Sequence, residues 1–375
     1  MRAAVVAVAL VVLAVASAAH ADTRPFLWQC EQIHRADAQD VCYVRLLLQD
    51  IDRSGDPADE LPRIDRLARA SGTSLEVRCH QLMHVVGRRW AREHHLTLDG
   101  LQKVVPRSND PGCSAGFGMG IVMALGPQII TTGGKSAVKT CEALPTRMRA
   151  FTCVHSLGHA LMRGYHESLF LALNACRRLG AAYTPDCAQG VFHDYWIALR
   201  GADETTSPVE PVRSPRKLCA QYPSLALSCW YRYYIEQPSQ PNVERARDLT
   251  TLCKGLGATQ RAGCIAAASK TVLDSPLAQT RLCSQLGAAA DALACLRGVA
   301  NQTYLRLPQQ LSLFRVCSRM PQGGRAGCDG WFGKTFNVLT NGRFLRDGCP
   351  RLAHADRAAC TAGARRWTQP LVTFA

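Results

Sequence analysis

Eighteen cysteines recur with a period in a chain of 375 residues, and this limits the fold more than any other feature of the sequence. They stand at positions 30, 42, 79, 113, 141, 153, 176, 187, 219, 229, 253, 264, 283, 295, 317, 328, 349 and 360. Eight of the nine consecutive pairs are 10 to 12 residues apart: 30/42, 141/153, 176/187, 219/229, 253/264, 283/295, 317/328 and 349/360. From Cys141 onward the first member recurs every 30 to 43 residues, the period of a two-helix repeat. No CxxC pair occurs, so the spacing is not that of a Cys-rich zinc motif.

The flanks give each pair a mechanical meaning. The first cysteine ends a helical pattern, as in Ala246 to Cys253 or Gln279 to Cys283. A turn such as Leu256-Gly257-Ala258-Thr259 or Pro321-Gln322-Gly323-Gly324 follows, and the second cysteine opens the next helix, as at Cys264-Ile265-Ala266. A disulfide there would staple the end of one helix to the start of its antiparallel neighbour. Closing a loop of about 12 residues contributes roughly 2–3 kcal/mol in the chain-entropy model, which offsets the small core of a thin helical hairpin. Cys79 and Cys113 both resemble helix-opening members and lack a cysteine upstream at that spacing, so they are expected to pair with each other.

The fold expected is all-α, an α-solenoid-like array of disulfide-stapled helical hairpins. In cysteine period it resembles secreted tetratricopeptide- or Sel1-like repeat proteins, without the Gly/Ala/Tyr pattern of those repeats. The strings Cys79-His80-Gln81-Leu82-Met83-His84 and Cys153-Val154-His155-Ser156-Leu157-Gly158-His159 are similar to those of exported bacterial proteins. No activity follows from either likeness.

The compartment is read from the N-terminus. Met1-Arg2 precedes an uncharged Ala/Val/Leu run from Ala3 to Ala16, and Ala19-His20-Ala21 supplies small residues at a cleavage site. Residues 1–21 therefore read as a secretory signal, with a membrane anchor as the alternative; the apolar run is short for a bilayer. Gly112 to Gly134 is also free of charge, but its apolar part is only about a dozen residues, which suits a buried helix followed by a loop. The mature protein is expected to be secreted or periplasmic, with no integral membrane segment and its cysteines paired in an oxidising space. The formal charge is +15, with seven lysines among 44 basic residues. No dense basic run interleaves with aromatics, so a solvated basic surface is expected and nucleic acid is not a partner.

The Pro-rich stretch 201–216 reads as a linker. It divides a histidine-bearing half, 22–200, from a half, 217–375, whose only histidine is His354. Counted from the helix-opening cysteines, His80 and His84 stand at +1 and +5, Met119 at +6, His155 and His159 at +2 and +6, and His193 at +6 with Asp194 beside it. Each i,i+4 pair puts two imidazoles on one helix face. Packed side by side, such helices could offer their nitrogens to a transition metal, copper, iron or zinc, with Met119 inclining the set toward copper(I). The leading expectation is an exported metalloprotein for oxidative chemistry or metal handling. The alternatives are a non-catalytic α-solenoid module with structural histidines, taking a protein or peptide partner on its C-terminal repeats, and a histidine pH switch.

Several enzyme classes lack their residues. Gln81 and Ser156 stand where a zinc protease needs glutamate, and neither CxxCH nor GxxxxGK[ST] occurs. His94-His95 reads as a polar helix end, His166-Glu167 as a candidate outer support for the metal ligands, and His34 and His354 as solvated. The cluster Trp230 to Tyr234 reads as core between the two halves, with a partner surface as the alternative. Glycine recurs at +3 after four opening cysteines, at Gly116, Gly190, Gly298 and Gly363, and reads as close helix packing.

Overall fold

The computed structural model describes residues 24–71, 74–105, 112–144, 146–181, 183–198, 214–236, 245–271, 281–300, 307–320 and 322–365. Residues 1–21, read from the sequence as a secretory signal, and residues 201–213 of the stretch read as a linker lie outside them. Among the described residues there are helices and no strands. The chain forms two compact units, one of residues 1–96 and 100–124, the other of residues 97–99 and 125–375. The first holds α1 (Arg24–Glu31), α2 (Ala36–Ser54), α3 (Pro57–Ser71), α4 (Ser74–Glu93), α5 (Leu101–Val104) and α6 (Cys113–Ala124). The second holds α7 (Gly126–Thr131), α8 (Lys135–Glu142), α9 (Arg147–Gly164), α10 (Leu169–Arg178), α11 (Thr184–Ala198), α12 (Pro215–Ala220), α13 (Ala226–Ile235) and α14 (Ala246–Leu252). It continues with α15 (Ala258–Thr271), α16 (Ala289–Ala300), α17 (Leu307–Cys317), α18 (Gln322–Leu339), α19 (Arg343–Asp347) and α20 (His354–Arg365).

All eighteen cysteines are paired. The eight short pairs bond as expected with separations of 10 to 12 residues, and Cys79 bonds Cys113. In the second unit the staples tie α8 to α9, α10 to α11, α12 to α13 and α17 to α18. The cysteines of the last four bridges, from Cys253 to Cys360, are buried among aliphatic and aromatic side chains such as Leu249, Ile265, Phe332 and Phe336.

Most second cysteines do not open their helices. Cys153 and Cys328 fall two turns into α9 and α18, and only Cys113 stands at a helix start. The helices begin earlier because residues read as turn formers are tolerated in a first turn, where the backbone N–H groups have no intrahelical partner. Thr146 caps α9 by accepting from Arg149 N at 3.2 Å. Ser214 caps α12 with Pro215 in its first turn, so the end of the linker stretch is helical. The segment after α6, expected as loop, is the short helix α7, whose first turn contains Pro127. No described helix is long and apolar enough to cross a membrane.

In the second unit helices carrying second cysteines pack on one another, α9 on α11, α11 on α13, α13 on α15, α15 on α16 and α18 on α20, and in the first unit α4, which carries Cys79, packs on α6. The +3 glycines set four of these crossings as the sequence suggests. A Cβ at Gly116, Gly190, Gly298 or Gly363 would overlap a backbone carbonyl oxygen of the facing helix, at His80, His155, Ala266 and Gly330 respectively. One contact departs from a simple solenoid, in which each repeat touches only its neighbours. Helix α18 packs back against α9, and Lys334 on α18 acts on the buried Asp186 of α11.

Candidate metal centre

Two glycines determine how α9 and α11 meet. Gly190 lies against the carbonyl of His155, and Gly158 of α9 lies against the carbonyl of Cys187 and the backbone at Gly190 and Val191. With no Cβ on either side, the helices approach at backbone contact. That brings the +2 and +6 side chains of α9 beside the +6 side chain of α11. The imidazoles of His155, His159 and His193 converge there, each offering a nitrogen within 4.8 Å of the others. Their ring centroids are 4.8 to 5.9 Å apart, and all three side chains are buried.

A chain of polar contacts runs through the cluster. Asp194 Oδ1 is 3.2 Å from His159 Nδ1 and 3.2 Å from Arg163 Nη2. His159 Nε2 is 3.2 Å from His155 Nε2, and Arg232 Nη2 is 3.4 Å from the same His155 nitrogen. Guanidinium only donates and carboxylate only accepts. His155 Nε2 is therefore an acceptor toward Arg232, and His159 donates from Nδ1 to Asp194. On the far side Glu236 Oε1 is 3.1 Å from His193 Nε2 and 3.9 Å from Arg232 Nη1. Two buried atoms at the edge of the cluster, Asp194 Oδ2 and Arg232 Nε, make no hydrogen bond.

The donor set suits a metal ion. Two nitrogens bound tetrahedrally at about 2.0–2.1 Å lie about 3.3 Å apart, close to the 3.2 Å between the Nε2 atoms of His155 and His159. Asp194 holds the opposite nitrogen of His159, the carboxylate–histidine arrangement that orients metal ligands. Helix α11 is itself anchored deep in the unit. Burial pushes the Asp186 carboxyl well above the ordinary carboxylate range against the opposing charge of Lys334, while burial draws Lys334 down to about 8.

The structure gathers some of the expected residues and separates others. His155, His159, His193 and Asp194 come together in the second unit. Asp194 stands behind His159 rather than among the converging nitrogens, because its carboxylate faces Nδ1. His80, His84 and Met119 belong to the first unit; the rings of His80 and His84 are 4.9 Å apart, and His80 Nδ1 is 3.2 Å from the carbonyl of Gly112. His166 gives no outer support to the triad: it is exposed, and with Glu167 it forms the left-handed exit of α9. His94 stacks on Trp90 at an exposed helix end, and His34 and His354 are exposed. Trp230 and Tyr231 are buried core, and the half-buried Tyr233 of α13 meets Trp196 of α11, so the aromatic cluster packs between these two helices.

Arg232 and Glu236 are the residues touching the candidate site that reading the sequence misses. Their signal was an i,i+4 Arg–Glu pair on the aromatic helix, hidden because Arg232 sits at +3 rather than +2 or +6. A second string passed over is Gly112-Cys113-Ser114-Ala115-Gly116, which has the G-x-S-x-G spacing of a hydrolase elbow. Its Ser114 is fully buried and donates its hydroxyl to Asp65, whose other oxygen accepts from Ser114 N at 3.0 Å. The carboxylate thus caps α6, a stabilising place for negative charge, and no exposed nucleophile is formed. No family model, no curated protein and no solved structure matches the chain, so the site must be judged on its own geometry.

Proposed function

We propose that the protein is an exported metal-binding protein whose centre is the triad His155, His159 and His193. The observation that carries this reading is the convergence of three buried imidazoles with one already oriented by a carboxylate. Three histidines on rigid, disulfide-stapled helices favour zinc, copper or iron and leave a fourth position for water or substrate. In this reading His155 and His159 bind through Nε2, Asp194 keeps His159 in its binding tautomer, and Arg232 swings off His155. The guanidinium then faces a second cation, so an anion belongs between them; Glu236 or an anionic substrate supplies it. Nine disulfides suit an oxidising compartment, secreted or periplasmic.

Metal analysis of untagged protein from an oxidising compartment tests the reading. Stoichiometric metal that is lost in the His155→Ala/His159→Ala double variant supports it. Protein without metal that melts identically in chelator and in added zinc or copper refutes it. One observation favours a second reading, a binding module with structural histidines: Arg232 already donates into the triad at 3.4 Å, so the polar core is held together by the protein's own groups. In that reading the C-terminal repeats take a protein or peptide partner.

A further inference from the structure

The glycine contacts align the two histidine pairs differently from the cysteines. Counted from Cys79 and Cys153, the pairs are offset by one residue. Counted from the helix crossing, they coincide. Gly116 of α6 lies on the carbonyl of His80, as Gly190 of α11 lies on that of His155. His80 therefore corresponds to His155 and His84 to His159, and both helices read H-x-L-x-H-x-x-x-R, ending at Arg88 and Arg163. Ring geometry agrees: the His80 and His84 centroids are 4.9 Å apart and those of His155 and His159 are 5.0 Å apart. On the partner helix Met119 takes the place of His193, three residues after the interlocking glycine, and Gly120 takes the place of Asp194.

We propose that the first unit carries a second metal site of softer character, His80–His84–Met119, selective for a monovalent soft cation, copper(I). Three observations support it. His80 Nδ1 is 3.2 Å from the carbonyl of Gly112, which fixes the tautomer that presents Nε2 to an ion. A thioether replaces the third imidazole, and soft sulfur selects copper(I) over zinc. The residue in the place of the carboxylate behind the first triad is a glycine, Gly120, which cannot supply the charge that Asp194 holds beside His159. Met119 and His80 are also partly exposed, unlike the triad histidines, which gives an ion a route in. The proposal does not depend on the triad's holding metal.

Copper(I) is delivered anaerobically as its acetonitrile complex, without thiol reductant, to the full chain carrying His155→Ala/His159→Ala. The expected result is one copper(I) per chain with a sulfur scatterer in its X-ray absorption spectrum. Every cysteine is in a disulfide, so that sulfur belongs to a methionine. Adding Met119→Leu should remove the sulfur signal and weaken copper(I) at least about tenfold, the scale seen for changes around a metal. Met123→Leu, one turn further along α6, should do neither. Met119→His should restore binding and shift it toward zinc. Copper(I) bound equally well in Met119→Leu, or none bound in the parent double variant, overturns the proposal.

Discussion

Replacing Gly190 by alanine separates the role of the helix crossing from that of the ligands themselves. The added methyl would land on the carbonyl oxygen of His155. The obstacle is backbone and cannot rotate away, so α9 and α11 must part by about 1.6 Å to take this approach of 1.9 Å to an ordinary contact of about 3.5 Å. Overpacking of this kind costs about 1–3 kcal/mol, and the better helix propensity of alanine returns about 1 kcal/mol, leaving a net loss of about 0–2 kcal/mol. In a unit of this size that lowers the melting temperature by only a few degrees. An ion is less tolerant, because metal–ligand distances hold to about 0.2 Å. A shift of that size takes His193 out of range of an ion held by His155 and His159, and affinity should fall by about 10- to 100-fold. Thermal unfolding followed by circular dichroism, together with zinc and copper titrations, reads both effects. Gly257→Ala is the control, since nothing lies within 4 Å of its added Cβ. Full metal affinity and unchanged melting in Gly190→Ala would refute the claim that the glycine interlock places the histidines.

Asp194→Asn keeps the shape but removes the carboxylate that accepts from His159; metal affinity measured by competition should fall about 10- to 100-fold with little change in melting. Replacing Cys141 and Cys153 by alanine opens a 12-residue loop at the base of α9, and urea unfolding should show a loss of about 3 kcal/mol in the chain-entropy model. In the C-terminal helices, burial with Asp356 alongside lifts Asp329 to about 7. A carboxyl that titrates higher folded than unfolded holds more protons in the folded state between the two values, so stability falls as pH rises from about 4 to about 7. Urea midpoints across that range should flatten in Asp329→Asn, and an unchanged slope would show that this carboxyl is not the source.

Much of the fold was legible because its determinants are local. A cysteine pair whose members stand 10 to 12 residues apart allows one staple, and that spacing gave both the pairing and the helical period. The +3 glycines revealed the helix crossings for the same reason, since close packing leaves few residues that fit. Helix starts were misplaced because Gly, Thr and Pro favour both turns and first turns, and the sequence of α18 or α7 does not distinguish them. The return of α18 to α9 was invisible: the contact joins residues far apart in the chain, and no periodic signal reports it. At the site, the i,i+4 histidines and His193 were readable from register. The partition of the two histidine pairs between units was not, because repeat register says nothing about where one compact unit ends. Arg232 and Glu236 reach the triad through a helix whose aromatic residues dominated its pattern.

The order of the disulfides along the chain has a consequence for how the molecule is made. The cysteines bond in consecutive pairs along the chain, from Cys30–Cys42 to Cys349–Cys360, including the wider Cys79–Cys113 bridge, so no bridge encloses another. A thiol oxidase meeting this chain from its N-terminus would form each native bond as soon as the second sulfur emerged, before a competing thiol was within reach. The slow reshuffling that usually limits oxidative folding would then be bypassed by the order in which the chain emerges. Maturation in a compartment equipped with an oxidase but little isomerase would suffice.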